Sequence, residues 1–423
     1  MTATAALLDF AAAAHRLPDA VRADALRLLA DTLAVGAAGA TAPGAAGVVQ
    51  AAAGWGSGGD ARLIGRRDRL PAPAAAFVNG FQIHCLEWDA VHEPAVVHAL
   101  SVVTAAVLAT LDRRGGGDPE AALVALAVGV DIAAGLGIAA TSPLRFFRPA
   151  TAGCLGAALA AARIDGIARD QLPHVLGLAY SFCAGTMQAH LEGSVALPLQ
   201  IAHAARAALT AVDLVRAGLT GPEDPLEGPF GYFALFEAGG LERYVAGIGA
   251  GWRVSEVSVK PYPAGRASHG VLAALASLRE DGRIVAVEAA VPPLVARLVG
   301  RPARAEMTPA YARLCLPALA AMMVEDGCID PRRFSGPFPA ALPVTLTADG
   351  NPDPNALSPQ RVTVRYADGR QRTVEVPHTL GSPAAPLSPD QSAAKTALAR
   401  TLALPGHDPR VFADPLAYLT EPQ

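Results

Sequence analysis

Apolar residues recur at helical spacing through most of the first 250 residues of this 423-residue chain. Between Val21 and Val35 the apolar positions lie three or four residues apart, while Arg22, Asp24 and Arg27 lie on the opposite face. This spacing predicts a helix that buries one face in a core. The same pattern predicts further helices at Ala72–Asp89, Ala99–Arg113, Pro119–Ala140, Gly153–Arg163, Gln171–Ala184, Leu199–Ala217 and Pro229–Ala238.

The pattern changes near Gly251, where β-branched and alternating residues replace the helical spacing. The segment Ala367-Asp368-Gly369-Arg370 predicts a hairpin turn, because Asp-Gly tolerates a positive φ. From Ser388 the run S-P-D-Q predicts the start of another helix. The predicted strands are Val254–Lys260, Ile284–Val291, Val344–Ala348 and Arg361–Tyr366.

These patterns together predict a mainly α fold with a large all-helical domain and a smaller α+β domain. We expect the helical domain to comprise residues 1–254 and 385–423, and the α+β domain to comprise residues 255–384. Because helix returns after the α+β segment, the C-terminal tail is expected to pack back on the large domain.

Charge and composition exclude several classes of partner. A net charge of −4 with only 17% charged residues favours neither nucleic acid nor an anionic membrane surface. The longest apolar run, Ala121–Ala140, is interrupted by Asp131 and by glycines, so it predicts a buried helix and no membrane contact. Asp9 interrupts the only stretch that resembles a signal peptide, and five scattered cysteines without a C-x-x-C pair fit a reducing compartment. We therefore expect a cytoplasmic protein.

The segment from His84 to His98 carries closely spaced ionisable side chains. On a helix, Asp89 and His92 would share a face, as would His84 and Glu87. A carboxylate beside an imidazole raises its basicity, so that the pair can take a proton from the carbon next to a carboxylate. We predict Asp89, His92 and His98 as catalytic and His84 and Glu87 as substrate-binding; the alternative is that these residues only cap helix ends.

The same side chains are also metal-ligand types. The sequence repeats neither H-E-x-x-H nor E-x-x-H, so we predict no metal and keep a metal-dependent hydro-lyase as a lesser alternative.

A second group of candidates flanks a Pro/Gly-rich turn. Lys260 and Arg266 can bind substrate carboxylates, and fixed cations stabilise the charge that builds when an α-proton is removed. Tyr262 can donate a hydrogen bond, and His269 can act as a second acid or base or cap the next helix. We predict Lys260, Tyr262 and His269 as catalytic and Arg266 as substrate-binding; the alternative is an ionic hinge between domains.

The block from Asn79 to His98 and the block K-P-Y-P…R…H from Lys260 to His269 together resemble the MmgE/PrpD family, which includes 2-methylcitrate dehydratase, cis-aconitate decarboxylase and iminodisuccinate epimerase. Asp89, His92 and His98 match the family pattern D-x-D-D-T-H…H-P. The resemblance covers nearly the whole chain and implies a helical domain with an α+β lid, an active site between them, a homodimer, and catalysis without cofactor or metal. Its further anchors are Phe147–Gly156, Glu192–Pro222, Leu314–Gly327 and Gly381–Lys395.

Several positions depart from the family pattern. Arg148 replaces a histidine that the family counts as catalytic; an arginine is a poor base but can still bind a substrate carboxylate. Leu197 stands where relatives have a functional lysine, and Ala318 where some decarboxylases have a tyrosine. In the first block Glu87, Ala90 and Val91 replace two aspartates and a threonine.

The leading hypothesis is a cofactor-independent lyase or isomerase that removes a proton α to a carboxylate of a small di- or tricarboxylic acid. Water or CO2 is then lost, or a centre is epimerised. The substitutions at Ala90, Val91, Arg148 and Leu197 favour the alternative, a catalytically silent member that binds a small acid or serves as a dimeric partner protein.

Overall fold

Long helices packed side by side form the N-terminal part of the molecule. The computed structural model describes residues 2–422. Two short strands, β1 (Ala61–Arg62) and β2 (Arg69–Leu70), form an antiparallel pair between the third and fourth helices. The helices are α1 (Ala3–Ala12), α2 (Asp19–Gly39), α3 (Ala45–Ala53), α4 (Ala72–His84), α5 (Ala99–Arg113), α6 (Pro119–Ala139), α7 (Arg148–Ile164), α8 (Leu172–Ser181), α9 (Gln188–Glu192), α10 (Ala196–Arg216), α11 (Tyr232–Leu235) and α12 (Glu242–Val245).

The core of this part lies among α4, α5, α6, α7 and α10. Small residues let the helices approach closely: a Cβ on Gly156 of α7 would lie 2.3 Å from the carbonyl oxygen of Gly129 on α6. Helix α6 is long and apolar enough to cross a membrane by length and composition alone, but 89% of its most apolar stretch is buried inside the protein. A core helix has the same properties.

A four-stranded sheet organises the α+β part. Its strands are β3 (Ile284–Val291), β4 (Val344–Ala348), β5 (Gln360–Tyr366) and β6 (Gln371–Val376), in the order β4-β3-β5-β6. Strand β3 pairs in parallel with β4 and antiparallel with β5, which forms a hairpin with β6. Val362, Val364 and Tyr366 face the core, whereas Arg361 and Arg365 face outward. Helices α13 (His269–Leu278), α14 (Pro293–Val299), α15 (Pro309–Ala312) and α16 (Leu316–Asp326) accompany the sheet.

The C-terminal tail returns to the helical part as α17 (Pro389–Leu402), α18 (Arg410–Ala413) and α19 (Pro415–Thr420). Ser388 and Gln391 form the capping box that begins α17, and this helix packs on α2. At that contact Lys395 forms a buried ion pair with Asp31, with Nζ and Oδ1 2.6 Å apart.

The predicted fold class is confirmed: the chain is mainly α with a smaller α+β part. The predicted bounds of α5, β3 and β4 are correct, and the Asp-Gly hairpin turn joins β5 to β6 with φ of +88° at Gly369. The strand predicted at Val254–Lys260 is wrong, because a 3₁₀ turn occupies Arg253–Glu256. The domain boundaries at 254/255 and 384/385 stay a prediction; residues 255–384 are called the lid below.

Candidate active site

The segment that joins α4 to α5, residues 85–98, carries most of the predicted catalytic side chains and is irregular. Because α4 ends at His84, the prediction that Asp89 and His92 share a helical face is wrong. The segment pairs with the start of the lid, where Val91 and Ser258 exchange two backbone hydrogen bonds of 2.9 Å. This pairing places residues of the helical part beside the Lys260 turn.

Two buried lysines stabilise the irregular path of this segment. Lys260 Nζ donates to the backbone carbonyl of Glu87 at 3.0 Å, and Lys395 Nζ donates to that of Trp88 at 3.1 Å. These bonds satisfy carbonyls that a continuing helix would have used itself. Glu87 and Val96 adopt φ of +53° and +52°, a left-handed conformation that side-chain-bearing residues rarely take. Such conformations concentrate at functional sites.

Asp89 is the centre of a buried ionic group. Its Oδ2 accepts hydrogen bonds from His84 Nδ1 at 2.9 Å and from the Ser101 hydroxyl. His98 Nδ1 lies 3.0 Å from the same oxygen but is out of line for a hydrogen bond. Lys260 Nζ lies 3.7 Å from Oδ1.

Glu87 completes the group. Its Oε2 accepts from Lys260 Nζ at 3.1 Å, and its Oε1 lies 3.3 Å from His84 Nε2. The imidazole of His84 therefore lies between two carboxylates. The structure thus brings together five predicted residues: His84, Glu87, Asp89, His98 and Lys260.

The surrounding charges and burial give the two histidines of the group different pKa values. Burial would lower the pKa of His84, but the charges of Asp89 and Glu87 outweigh it and raise this pKa to about 9. Burial lowers the pKa of His98 more than Asp89 raises it. Although burial opposes it, neighbouring cations hold the pKa values of Asp89 and Glu87 well below the usual range. Near neutral pH His84 is therefore protonated, whereas His98 is a neutral imidazole that can accept a proton.

A cavity of about 50 Å³, called the inner cavity, lies between the helical part and the lid. The helical part supplies Glu87, His98 and Leu197, and the lid supplies Arg266, Leu298 and Leu314, among other mostly apolar side chains. Since one water needs roughly 10–15 Å³ of such space, the inner cavity has room for a few waters. The predicted base His98 and the predicted carboxylate-binding Arg266 line the same space.

Arg266 already has a carboxylate partner within the protein. Its Nη2 donates to Glu93 Oε1 at 2.7 Å, and its Nη1 donates to the carbonyl of Leu380 at 2.7 Å.

Arg148 is held even more completely. Its Nε and Nη2 donate to the two oxygens of Glu237 at 2.7 and 3.2 Å. Nη1 donates to Asn355 Oδ1 of the lid and to the carbonyl of Ala95, and Nη2 donates also to the carbonyl of Ser142. All five N–H groups of this buried guanidinium therefore have acceptors, and none remains for a substrate carboxylate in this arrangement.

Three predicted residues belong neither to the walls of the inner cavity nor to the ionic group around Asp89. His92 Nε2 contacts Glu256 Oε2 at 2.8 Å and does not pair with Asp89. Tyr262 is half-buried against the His269 ring, with the ring centroids 5.4 Å apart. His269 Nε2 donates to the carbonyl of Ala264, and burial beside Arg266 and Lys260 holds its pKa well below the usual range.

The altered family positions are divided between the inner cavity and the core. Leu197 and Val91 line the inner cavity, which makes its walls more apolar. Ala90 belongs to the helical core, and Ala318 packs beside Tyr311 in a small lid cluster.

His84, Asp89 and His98 could also offer one ligand atom each to a metal, since three such atoms lie within 4.8 Å of one another. Both imidazoles, however, approach the same carboxylate oxygen through Nδ1 at hydrogen-bond distance. This chemistry is that of a proton-sharing group, and the donor set would have to turn to face a common ion.

His190 is a cavity residue that the sequence did not reveal. It lies in the short helix α9 and lines the inner cavity. Burial and the neighbouring Arg301 lower its pKa to about 4, so it is neutral. Arg301 belongs to the lid, more than one hundred residues along the chain, and no local spacing signals this contact.

Known proteins share this sequence pattern. A family model described as the MmgE/PrpD N-terminal domain matches residues 6–243. Cis-aconitate decarboxylase of Homo sapiens is 30% identical over 299 residues, which cover 67% of this chain and 61% of the relative. The proteins of the same name in Mus musculus and Aspergillus terreus are each 30% identical, over 63% and 62% of this chain. The alignments span 61%, 56% and 57% of these three relatives.

The family model covers more than half of the chain, and the resemblance predicted from the two sequence blocks is thereby confirmed. The chain belongs to the MmgE/PrpD family.

Proposed function

We propose that the chain is a lyase that acts on a small carboxylic acid by moving a proton at the carbon next to a carboxylate, without a cofactor. The observation that supports this most directly is the neutral His98 beside the charged Asp89 on the wall of the inner cavity. An imidazole in that state can act as a general base, and the adjacent carboxylate stabilises the imidazolium that forms.

Proton transfer uses the ring nitrogen that does not face Asp89. His98 Nδ1 lies next to Asp89, so Nε2 takes the proton and the C–H electron pair moves toward the substrate carboxylate. Loss of water from the neighbouring carbon completes a dehydration. In a decarboxylation no C–H bond breaks first: the C–C bond to CO2 breaks, its electron pair stays on carbon, and His98, after taking a proton from solvent, gives that proton to this carbon. The names of the relatives favour loss of CO2 and make cis-aconitate the first compound to test.

The size and walls of the inner cavity bear on the substrate. About 50 Å³ is too little for a tricarboxylic acid, so binding requires the lid to move or the acid to be small. Leu197 in the wall supplies no charge, which favours an acid with fewer carboxylates than cis-aconitate.

A second candidate function is acid binding without turnover. The observation that favours it is the internal pairing of the cations that were predicted to bind substrate: Lys260 with Glu87, Arg266 with Glu93 and Arg148 with Glu237.

Deuterium exchange tests the two proposals against each other. The protein is incubated in heavy water with cis-aconitate and a panel of smaller di- and monocarboxylic acids, and NMR follows solvent deuterium at carbon. We expect incorporation into at least one acid, falling about 10²- to 10⁴-fold in His98→Ala.

His92→Ala is the matched control, because it removes a buried histidine of the same segment that lies outside the inner cavity. It is expected to retain exchange. Undiminished exchange in His98→Ala would contradict the role of this base, and binding of acids without any exchange would favour the silent member.

A further inference from the structure

One buried cation in the described part of the chain has no carboxylate partner. Six lysine or arginine side chains are buried there, and five lie within 4 Å of a buried or half-buried carboxylate oxygen. The exception is Arg313, which is 3% exposed. The five paired cations are Arg62, Arg148, Lys260, Arg266 and Lys395.

The immediate surroundings of Arg313 leave most of its donors unused. Nη1 donates to the carbonyl of Cys85 at 3.4 Å, a long bond, and the buried Nε has no acceptor among the described residues. The guanidinium stacks on Phe334, 4.6 Å from the ring centroid. Because an unpaired buried charge is costly, Arg313 calls for a partner that the described residues do not supply.

Arg313 lines a second cavity of about 330 Å³ between the helical part and the lid, called the outer cavity. The outer cavity shares Glu87, Leu197 and Leu314 with the inner cavity, so these side chains form a common wall. His84 also lines it, and Phe81 supplies apolar surface. A ligand in the outer cavity would therefore contact His84 and Glu87 of the buried ionic group.

We propose that Arg313 binds a carboxylate group of a small carboxylic acid in the outer cavity. The planar guanidinium can offer two parallel N–H donors to a carboxylate, and the neighbouring apolar walls suit the hydrocarbon part of such an acid. Burial lowers the pKa of Arg313 to about 10, against the opposing effect of Cys85 and Glu87, so the side chain is still charged at neutral pH. The choice of an acid as ligand rests on the proposed function, but the site itself rests on the unpaired guanidinium and its cavity.

Thermal unfolding of the ligand-free protein separates a binding role from a structural one. Arg313→Met removes an unpaired buried charge and keeps an apolar side chain against Phe334, so we expect an unchanged or higher Tm. The matched control is Arg304→Met, which removes an exposed lid arginine stacked on Tyr311, 4.3 Å from its ring centroid. A clear fall in Tm for Arg313→Met alone would show that the guanidinium supports the fold and would overturn the proposal.

Calorimetric titration with cis-aconitate, succinate and crotonate, which carry three, two and one carboxylates, tests the ligand. At least one acid is expected to bind the wild-type protein, and Arg313→Met should weaken that binding about 30-fold or more while Arg304→Met leaves it unchanged. Equal affinity in Arg313→Met, or no binding of any of these acids to wild type, would overturn the site.

The two proposals fail in different measurements. His98→Ala should bind the acid normally and lose only deuterium exchange. If His98→Ala still exchanges while Arg313→Met loses affinity, the proposed base is wrong and the carboxylate site stands.

Discussion

Two buried ionic groups contribute to the walls of the inner cavity, and they differ in how completely their polar atoms are paired. In the group around Arg148, every guanidinium N–H has an acceptor. In the group around Asp89, three buried atoms have close ionic neighbours but no hydrogen bond in line: His84 Nε2, His98 Nδ1 and Asp89 Oδ1.

This difference separates a structural role from a chemical one. A fully paired guanidinium joins the helical part to the lid through Asn355 and cannot change its protonation state. A group with two histidines in different protonation states and unpaired atoms can accept and return a proton. Buried polar side chains thus join two parts of the molecule in one group and, under the proposed function, transfer a proton in the other.

The largest expected effect of a single change on stability is that of Arg148→Met. It leaves the buried carboxylate of Glu237 without its cation, and we expect a loss of about 3–5 kcal/mol in the free energy of unfolding. Chemical denaturation measures it.

The double variant Arg148→Met/Glu237→Gln is the control, because it also removes the stranded charge. It should recover a large part of the loss. If Arg148→Met alone lowers the free energy of unfolding only slightly, the Arg148 group does not hold the helical part and the lid together. The Arg148 group would then have no structural role to set against the Asp89 group.

The Asp89 group predicts a loss of stability in alkali. The pKa of His84 is higher in the folded protein than its unfolded value of 6.5, so protonation of this ring stabilises the fold. The stabilisation is complete below about pH 6.5 and is lost as the pH rises through about 9. We expect about 2–3 kcal/mol less stability at about pH 10 than at about pH 7 from this residue. The pKa values of Asp89 and Glu87 are depressed, so their contribution is present above the ordinary carboxyl pKa and is lost in acid.

NMR titration of the His84 ring measures the raised pKa behind this alkaline loss directly. In Asp89→Asn one of the two carboxylates that raise the pKa is gone, so this pKa should fall and the alkaline loss should shrink. A wild-type His84 that titrates near 6.5 would show that the two carboxylates do not act on it as the geometry indicates.

The sequence predicted the fold well where local pattern decides structure. Helix α5 and strands β3 and β4 begin and end where the apolar spacing predicts, because each buries a face that the spacing defines. The same spacing predicted that α4 continues to Asp89, but the helix ends at His84. Lys260 and Lys395 bind the carbonyls that follow, and these lysines lie 173 and 307 residues away along the chain.

The candidate site shows the same limit. Residue types and the family resemblance indicated Asp89, His98 and Lys260, but local spacing wrongly paired Asp89 with His92. Arg313 gave no signal at all, because what distinguishes it is the lack of a partner in three dimensions. Whether a charged side chain finds an ionic partner depends on contacts between segments that lie far apart in the sequence.

The smallest effect concerns backbone strain in the segment between α4 and α5. Val96 takes a left-handed φ of +52° in the segment that bears Asp89, a conformation that costs roughly 1–2 kcal/mol for most residues and less for asparagine. Val96→Asn is therefore expected to raise the free energy of unfolding by up to about 1 kcal/mol. Its neighbour Val97 has no such φ and is fully buried, so Val97→Asn should destabilise. Opposite signs in denaturation experiments would show that strain is stored at Val96, beside the ionic group around Asp89. Losses in both variants would mean that the packing of Val96 against the lid core contributes more than the strain costs.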